Sequence, residues 1–410
     1  MNEVKLFFLI GLLAVGCTKK SKQDIGYSEE SVAIPVFSSI DKVENDLSFV
    51  AEGIDIVKLE TKSECLLTGQ IIDMDVSSEY IFIAEIGAIY QFDRGGRFIR
   101  KIGKNGRGPG EYPQVNGMQI DWKRKVIHVF PGKTRGKVMK YDFQGNFSGD
   151  VFFENEDFVS FDVVESNYVF HRFCFDKFNT DYQMLYLVDS MGRKTSVKSP
   201  IFPAIKNSGQ TVVRFGNSRN FSWRFYDQLC VMEEGNDTIY SIDSDSIGIR
   251  GVLTGSKKVS LHNFYFSKML PEHEVMLTDW ASMPANSCVF ESEKFMIFRC
   301  RTGGNDRYLC IYDKSGDQIY RTDFPYRSSE RMYSDAFYDD LVSGLAISPL
   351  VSVAEGHFAS VFPAYELLEK QDEIEGFYAQ FSKEETKRLL DVCGQTTPDD
   401  NPFVIIGKLR

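Results

Sequence analysis

The sequence predicts an all-β fold, a β-propeller of six four-stranded blades with a short helical insertion and a short C-terminal helix. Three observations support this prediction. A turn built on Asp and Gly recurs at a near-constant spacing, and about four strand-like runs fall within each spacing. Aromatic residues are also frequent, with 34 Phe and 19 Tyr among 410 residues. Such side chains are favoured in strands and fill the core between sheets.

The recurring turn predicts a β-hairpin. Asp accepts hydrogen bonds from the backbone of the turn that it opens, and Gly adopts the positive φ that closes the turn. Successive copies are separated by 49, 47, 54 and 70 residues. A repeat of about 40–50 residues that contains four strands is typical of a propeller blade. The anchoring residues are Asp93, Asp142, Asp189, Asp243 and Asp313.

Each blade can be assigned from these runs, and the last is completed by a chain end. A strand from residues 54–59 or from 403–409 finishes it, which removes exposed sheet edges. In order, the blades are predicted at residues 71–102, 118–151, 158–197, 211–253, 287–323 and 345–362.

Two segments interrupt the strand pattern. Residues 260–283 are predicted to form a partly helical insertion. Residues 382–393 are predicted to form a helix in which Ser382 is the N-cap and Glu385 completes a capping box, and Gly394 stops it.

The first seventeen residues predict export and lipid attachment. The apolar run at 6–15 is too short to span a bilayer, and Ala14 and Gly16 precede Cys17 as in a bacterial lipobox. Cleavage before Cys17 would leave this residue as the acylated N-terminus. The chain then divides into a signal peptide (1–16), a lipidated tether and lead-in (17–52) and one propeller domain (53–410). The alternative is a short apolar N-terminus that precedes a cysteine by chance.

Charge and cysteine usage restrict the partners. The net charge of −11 and the lack of a basic block argue against nucleic acid. No other apolar run approaches 18 residues, so the lipid is the expected membrane attachment, and a monomer is expected.

Cys300 and Cys310 flank a turn-like segment and either face each other across a hairpin or pack in the core.

The chain resembles the six-bladed β-propeller lipoproteins of Bacteroidetes, which are similar to NHL-repeat propellers. The hairpin at residues 90–98, the Gly-rich segment 101–112 and the terminal segment 401–406 carry this resemblance. It implies the fold and an export route, but no settled activity. In such lipoproteins acidic residues after the cysteine accompany surface export, so Lys19 and Lys20 favour the periplasmic face. The long Asp243–Asp313 gap leaves the boundaries of blades four and five open.

Two segments are candidates for ligand binding. The segment of Gly103, Gly106, Gly108 and Gly110 lacks the order of a nucleotide loop, and Pro109 blocks a helix. It is interpreted as a connection between blades, which could present side chains near the central channel. Residues 220–226 and 264–266 are rich in aromatics, which either contact a partner or a sugar or fill the core. The candidate binding residues are Arg107, Glu111, Tyr112, Trp223 and Arg224.

Signals for catalysis are weak. Asp243, Asp245 and Gly248 lack the remaining ligands of a calcium loop, and no nucleophile elbow is present. No cofactor is predicted. The preferred hypothesis is a non-enzymatic envelope scaffold that binds a protein or a glycan. The alternative is a hydrolase or lactonase with a divalent metal such as calcium in the channel.

Overall fold

The computed structural model describes most of the chain from residue 31 onward. Nearly all of its strands lie in antiparallel sheets of four or five strands. The described residues are 31–68, 70–131, 136–153, 158–172, 185–197, 220–233, 237–243, 247–259, 271–277, 289–304, 306–323, 335–353 and 356–410.

Blades one to three are consecutive four-stranded meanders, and they confirm the predicted strands of blades one and two to within about one residue. Each blade runs from an inner first strand to an outer fourth strand. Blade one is β3 (Ile71–Val76), β4 (Tyr80–Glu85), β5 (Ala88–Asp93) and β6 (Phe98–Ile102); blade two is β9 (Gly117–Asp121), β10 (Val126–Phe130), β11 (Lys137–Asp142) and β12 (Phe147–Phe152); blade three is β13 (Phe158–Val164), β14 (Asn167–Arg172), β15 (Leu185–Val188) and β16 (Lys194–Val197).

Blades four to six each include a strand or short segment outside a simple meander. Two short pairs, β7 (Lys104–Asn105) with β8 (Glu111–Tyr112) and β26 (Phe337–Tyr338) with β27 (Ala346–Ile347), lie between blades. Blade four is β17 (Asn220–Phe225), β18 (Gln228–Glu233), β19 (Thr238–Ile242) and β20 (Ile247–Leu253) with β1 (Val32–Ile34); blade five is β21 (Val275–Leu277), β22 (Val289–Glu291), β23 (Phe295–Thr302), β24 (Arg307–Asp313) and β25 (Gln318–Arg321); blade six is β28 (Val351–Val353), β29 (His357–Phe362), β30 (Phe403–Leu409) and β2 (Ala51–Lys58).

Both chain ends close the ring in blade six. β30 lies between β29 and β2, and β2 forms the outer edge of the same sheet. The register pairs Ile56 with Ile405 and Lys58 with Phe403. Both segments that the sequence offered as alternatives for completing this blade are therefore used. The six-bladed fold is confirmed.

Residues 32–46, which we call the N-terminal strap, run along the outer strands before the chain enters blade six. β1 pairs in parallel with β20 of blade four. Further on, Val43 bridges Arg321 of blade five and Asp46 bridges Tyr338. Ile34, Val36 and Phe37 of the strap are buried in the core between blades four and five. The strap thus links blade four, blade five and the short pair β26–β27.

The turns after Asp93, Asp142 and Asp189 have the predicted geometry, with their glycines at positive φ. In the turn after Asp313 the positive φ is at Asp317 instead of Gly316. Asp93 Oδ1 accepts hydrogen bonds from the backbone N–H groups of Gly95 and Arg97 at 3.0 and 2.9 Å. Asp142, Asp189 and Asp313 make equivalent bonds at the third hairpin of their blades. The turn after Asp243 lies partly outside the described residues.

The turn glycine is also a contact between blades. Gly96 has φ of +84°, and a Cβ atom there would lie 2.1 Å from the carbonyl oxygen of Lys58 in the outer strand of blade six. At Gly192 the corresponding distance, to the carbonyl oxygen of Phe152 in blade two, is 1.8 Å. Any side chain would therefore push the turn away from the preceding blade.

We expect Gly96→Ala to lower the free energy of unfolding by about 2–3 kcal/mol. Positive φ costs an L-residue about 1–2 kcal/mol, and the contact with Lys58 adds to this cost. Gly53→Ala is the matched control, because it alters β2 at a position where no heavy atom lies within 4 Å of the added Cβ. For this control the free energy of unfolding, measured by chemical denaturation, should change by less than about 0.5 kcal/mol. Equal free energies of unfolding for the two variants would contradict the contact between this turn and the preceding blade.

The described residues contain four helices: α1 (Leu47–Val50), α2 (Ala364–Glu369), α3 (Gln371–Phe381) and α4 (Glu384–Cys393). The last three are inserted between β29 and β30. The predicted C-terminal helix is present as α4 and ends before Gly394. Its predicted cap is wrong, because Ser382 has φ of 51° as the C-cap of α3, and no side chain caps α4. No described helix is long and apolar enough to cross a membrane.

The other predicted insertion is only partly described. Residues 271–277 contain the short strand β21 rather than a helix, and most of the remaining segment lies outside the described residues. Cys300 and Cys310 lie in β23 and β24, and both are buried free thiols in the core between blades four and five. Cys17, Cys174 and Cys288 are likewise outside the described residues.

Candidate functional site

The inner strands of blades one to three contact one another in turn, as do those of blades four to six, and β28 of blade six contacts β3 of blade one. In a propeller these strands form the wall of the central channel. On β3 the side chains of Ile72, Met74 and Val76 are buried, whereas those of the intervening Asp73 and Asp75 are only half-buried. The β-strand alternation therefore places both carboxyl groups on the same face. This face points towards blade two.

Both aspartates join β3 to blade two through hydrogen bonds. The backbone N–H of Met118 donates to Asp73 Oδ2 at 2.9 Å, and the N–H of Met74 donates to the other oxygen. Trp122 Nε1 donates to Asp75 Oδ2 at 3.2 Å, and the N–H of Val76 donates to Oδ1. All four oxygens have donors, so the carboxyl groups are held in fixed positions.

Blades three and four add charged groups to this wall. His171 Nε2 lies 2.6 Å from Asp162 Oδ2, and both side chains are buried. Ser222 donates its hydroxyl hydrogen bond to Asp162, and the guanidinium of Arg224 donates to the carbonyl oxygen of Val163.

The charge of Arg224 acts on both Asp75 and Asp162, so the groups from the different blades share one electrostatic environment. We call Asp73, Asp75, Asp162, His171 and Arg224 the channel cluster.

Burial controls the ionisation of the two aspartates on β3. It raises the pKa of Asp73 to about 7, a shift that the Met118 N–H opposes and the charge of Asp75 reinforces. It also raises the pKa of Asp75 to about 7, against the effects of the Val76 N–H and Arg224. At Asp162 burial acts in the same direction, but the hydrogen bond and charge of His171 outweigh it and the pKa is lowered. Asp73 and Asp75 therefore change charge near neutral pH.

We expect this arrangement to make the protein less stable as the pH rises from about 4 to about 7. In this window the unfolded carboxyls have lost their protons, whereas the folded ones retain them. Each group therefore lowers the free energy of unfolding by up to about 1.4 kcal/mol per pH unit. When the free energy of unfolding is measured by denaturation between pH 4 and pH 8, it should decline less for Asp75→Asn than for the wild type. Asp399→Asn, at an exposed position, should keep the wild-type slope. An unchanged slope for Asp75→Asn would contradict the pKa assignment.

The structure places the predicted residues of the Gly-rich segment in the connection from β6 to β9. Tyr112 is 1% exposed, and its hydroxyl donates to the carbonyl oxygen of Ile102 at 2.7 Å. Glu111 Oε2 accepts from the N–H of Gly108 at 2.9 Å, which closes the loop on itself. Arg107 is exposed. The role of this loop in binding stays a prediction.

Trp223 and Arg224 are neighbours in sequence but have different environments. Trp223 is 3% exposed and its Nε1 donates to Glu291 Oε2 of blade five at 2.7 Å. Arg250 and Lys314 also bind Glu291, so this buried carboxylate joins blades four and five. Arg224 points to the other face of the strand and belongs to the channel cluster. Only Arg224 among the five predicted binding residues does so.

The channel cluster does not have the geometry of a hydrolase triad. Asp162 lies between Ser222 and His171, whereas nucleophilic catalysis needs the histidine between the hydroxyl and the carboxylate. Within the described ranges, no three His, Cys, Asp or Glu side chains are grouped to hold a metal ion. The arrangement can instead accept hydrogen bonds and attract positive charge.

Six sheets around a channel, the last shared by both chain ends, define a six-bladed β-propeller. The chain belongs to the family described as a domain of unknown function, DUF4934, whose model matches residues 32–408. No curated protein matches the chain.

Similar solved structures come from Bacteroides. A B. fragilis protein provisionally described as exported has 16% identity and a TM-score of 0.64, with 93% of this chain and 100% of that chain covered. A DUF4221 member from B. vulgatus has 12% identity and a TM-score of 0.48, with 91% and 99% covered. The first similarity supports the fold.

Proposed function

We propose that the protein is a lipid-anchored propeller of the cell envelope that binds a basic segment of another envelope protein at its channel. One observation carries this proposal: Asp73, Asp75 and Asp162 come from two blades and lie on one wall with a single guanidinium, that of Arg224. When all three carboxyls are ionised, they outnumber the cations of the cluster even if His171 is counted with Arg224. Such a wall attracts ammonium or guanidinium groups.

The rigid ring supports a binding role. The carboxyls of Asp73 and Asp75 are already held by backbone and indole donors, so little ordering is required when a ligand arrives. The net charge of −11 also favours a basic partner over an acidic one. A protein segment is preferred over a glycan because the wall carries charge.

The location is proposed from the sequence and the similar structure. The lipobox-like segment ending at Cys17 supports lipid attachment, and the exported description of the B. fragilis protein supports an envelope location. The periplasmic face, with Lys19 and Lys20 after the cysteine, and similarity to NHL-repeat propellers remain part of this proposal. Labelling with a fatty acid should be lost in Cys17→Ala.

Calorimetric titration with a lysine-rich peptide tests the binding site. We expect saturable binding that is at least tenfold weaker for the Asp73→Asn/Asp75→Asn variant and unchanged for Asp399→Asn. Arg224→Gln should strengthen binding, because it removes the competing cation. Binding should also strengthen from pH 6 to pH 8, as the carboxyls with pKa near 7 lose their protons.

The same titration distinguishes the partner classes. Equal affinities of the wild type and the double variant would contradict the channel site. Binding of a neutral oligosaccharide in preference to the peptide would replace the basic protein segment with a glycan. Circular dichroism of each variant checks that the fold is retained.

The hydrolase or lactonase alternative has a separate test. Elemental analysis of protein purified without a chelator would favour it if one calcium, zinc or similar ion were bound per chain. No arrangement of the described side chains supports it specifically.

A further inference from the structure

A second polar cavity lies away from the channel cluster, beneath the N-terminal strap at the edge of blade five. Its volume is about 130 Å³. Four parts of the chain contribute to it: the strap, the connection after blade four, the entry to blade five and the outer strands of that blade. The lining side chains that matter here are those of Ser38, Lys257, Glu272, His273, Tyr308 and Arg321.

Backbone pairing fixes the two permanent cations of this cavity. The N–H of Lys257 donates to Phe37 O at 2.8 Å, and its carbonyl accepts from the N–H of Val275 at 2.7 Å. Arg321 is held in the same way by the strap, since its N–H donates to Lys42 O and its carbonyl accepts from Glu44 N, both at 3.0 Å. Backbone pairing with the strap therefore holds the main chain of both residues in place.

Several polar groups converge on the cavity without using their hydrogen-bonding capacity inside the protein. Across the described residues, Lys257, His273, Ser38 and Tyr308 have no side-chain hydrogen bond or ion pair. The one ion pair of Arg321 among the described residues is a 3.9 Å contact to the exposed Asp323. Tyr308 lines the cavity and packs against the core between blades four and five, so its ring is held in place.

The lining indicates the charge and size of a ligand. Lys257 and Arg321 supply two positive charges against the single carboxylate of Glu272, and Ser38, His273 and Tyr308 offer further hydrogen bonds. Arg and Lys recognise carboxylate and phosphate oxygens. One water occupies about 30 Å³, so the cavity has room for about four waters or for one compact anion.

We propose that this cavity binds a small oxyanion, a carboxylate or a phosphate, between Lys257 and Arg321. Such a ligand would connect the strap and the outer strand of blade five through one set of charge-assisted hydrogen bonds. Its binding would stabilise the folded protein by mass action. This site is independent of the proposed channel function.

Calorimetric titration and thermal unfolding with inorganic phosphate, sulfate and acetate test the site, with chloride at equal ionic strength as the reference. We expect saturable binding of at least one oxyanion and a melting temperature that rises with its concentration. Lys257→Gln and Arg321→Gln should each weaken binding at least tenfold. Preference for acetate would identify a carboxylate ligand, and preference for phosphate or sulfate a phosphate-like one.

Two controls separate this site from general effects of charge. Lys387→Gln removes an exposed cation from α4 and should leave oxyanion binding unchanged. The Asp73→Asn/Asp75→Asn variant should also bind the oxyanion normally, which separates this result from the channel test. Absence of saturable binding in the wild type, or equal affinities of the wild type and Lys257→Gln, would overturn the proposal.

Discussion

A chain that begins at Thr61 should not form a stable propeller. It lacks the strap, α1 and β2, and it leaves β30 as an exposed edge strand. The deletion removes seven large buried side chains, each worth about 1.5–3 kcal/mol, so the loss is at least about 10 kcal/mol. This is comparable to the whole stability of a typical domain. The buried residues are Ile34, Val36, Phe37, Ile40, Leu47, Val50 and Leu59.

A matched truncation and a complementation experiment check this expectation. A chain that begins at Ser31 keeps every described strand and should unfold cooperatively. Adding a synthetic peptide of residues 31–60 to the shorter chain should restore part of the structure, because the strap and β2 pair along exposed edges. Cooperative unfolding of the shorter chain at wild-type stability would contradict closure by both ends.

The second large effect is expected at a buried ion pair in blade five. Arg299 and Asp335 are both 0% exposed, with Arg299 Nε 3.4 Å from Asp335 Oδ2. The guanidinium also donates to the carbonyl oxygen of Pro349 and lies 5.8 Å from the ring centroid of Phe290. Arg299→Met should lower the free energy of unfolding by about 3–5 kcal/mol, because it leaves the Asp335 carboxylate buried without this cation.

A double variant tests the cause of this loss. Adding Asp335→Leu to Arg299→Met should recover most of the lost stability, since replacing a whole buried pair by apolar groups is often nearly neutral. Arg388→Met removes a 73% exposed arginine side chain and should change stability by less than about 0.5 kcal/mol. If the double variant were no more stable than Arg299→Met, uncompensated charge would not be the cause.

The parts of the fold that depend on local chemistry were predictable. Asp93 and Gly96 make their turn through neighbouring backbone groups, so the sequence pattern alone indicates the hairpin. The same holds for the strands of blades one and two. The inserted helices α2 and α3 were missed. The assignment of Ser382 as an N-cap failed because a preceding helix already ends at that residue.

The channel cluster could not be assembled from the sequence because its members come from separate blades. Asp73 and Asp162 are 89 positions apart, and only ring closure brings them to one wall. A local signal was present: Asp73 and Asp75 occupy every second position of an otherwise apolar strand. Arg224 was selected for its aromatic neighbours, but it acts through the carboxylates of other blades.

Site-specific photo-crosslinking in the native host tests the central claim most directly. A photoreactive residue at Gln119, on the inner strand of blade two, should capture an envelope protein, and Asp73→Asn/Asp75→Asn should abolish that product. The same residue at Gln144, in the exposed turn between β11 and β12 of that blade, should not capture it. Equal capture from both positions, or capture from Gln119 that persists in the double variant, would contradict binding at the channel.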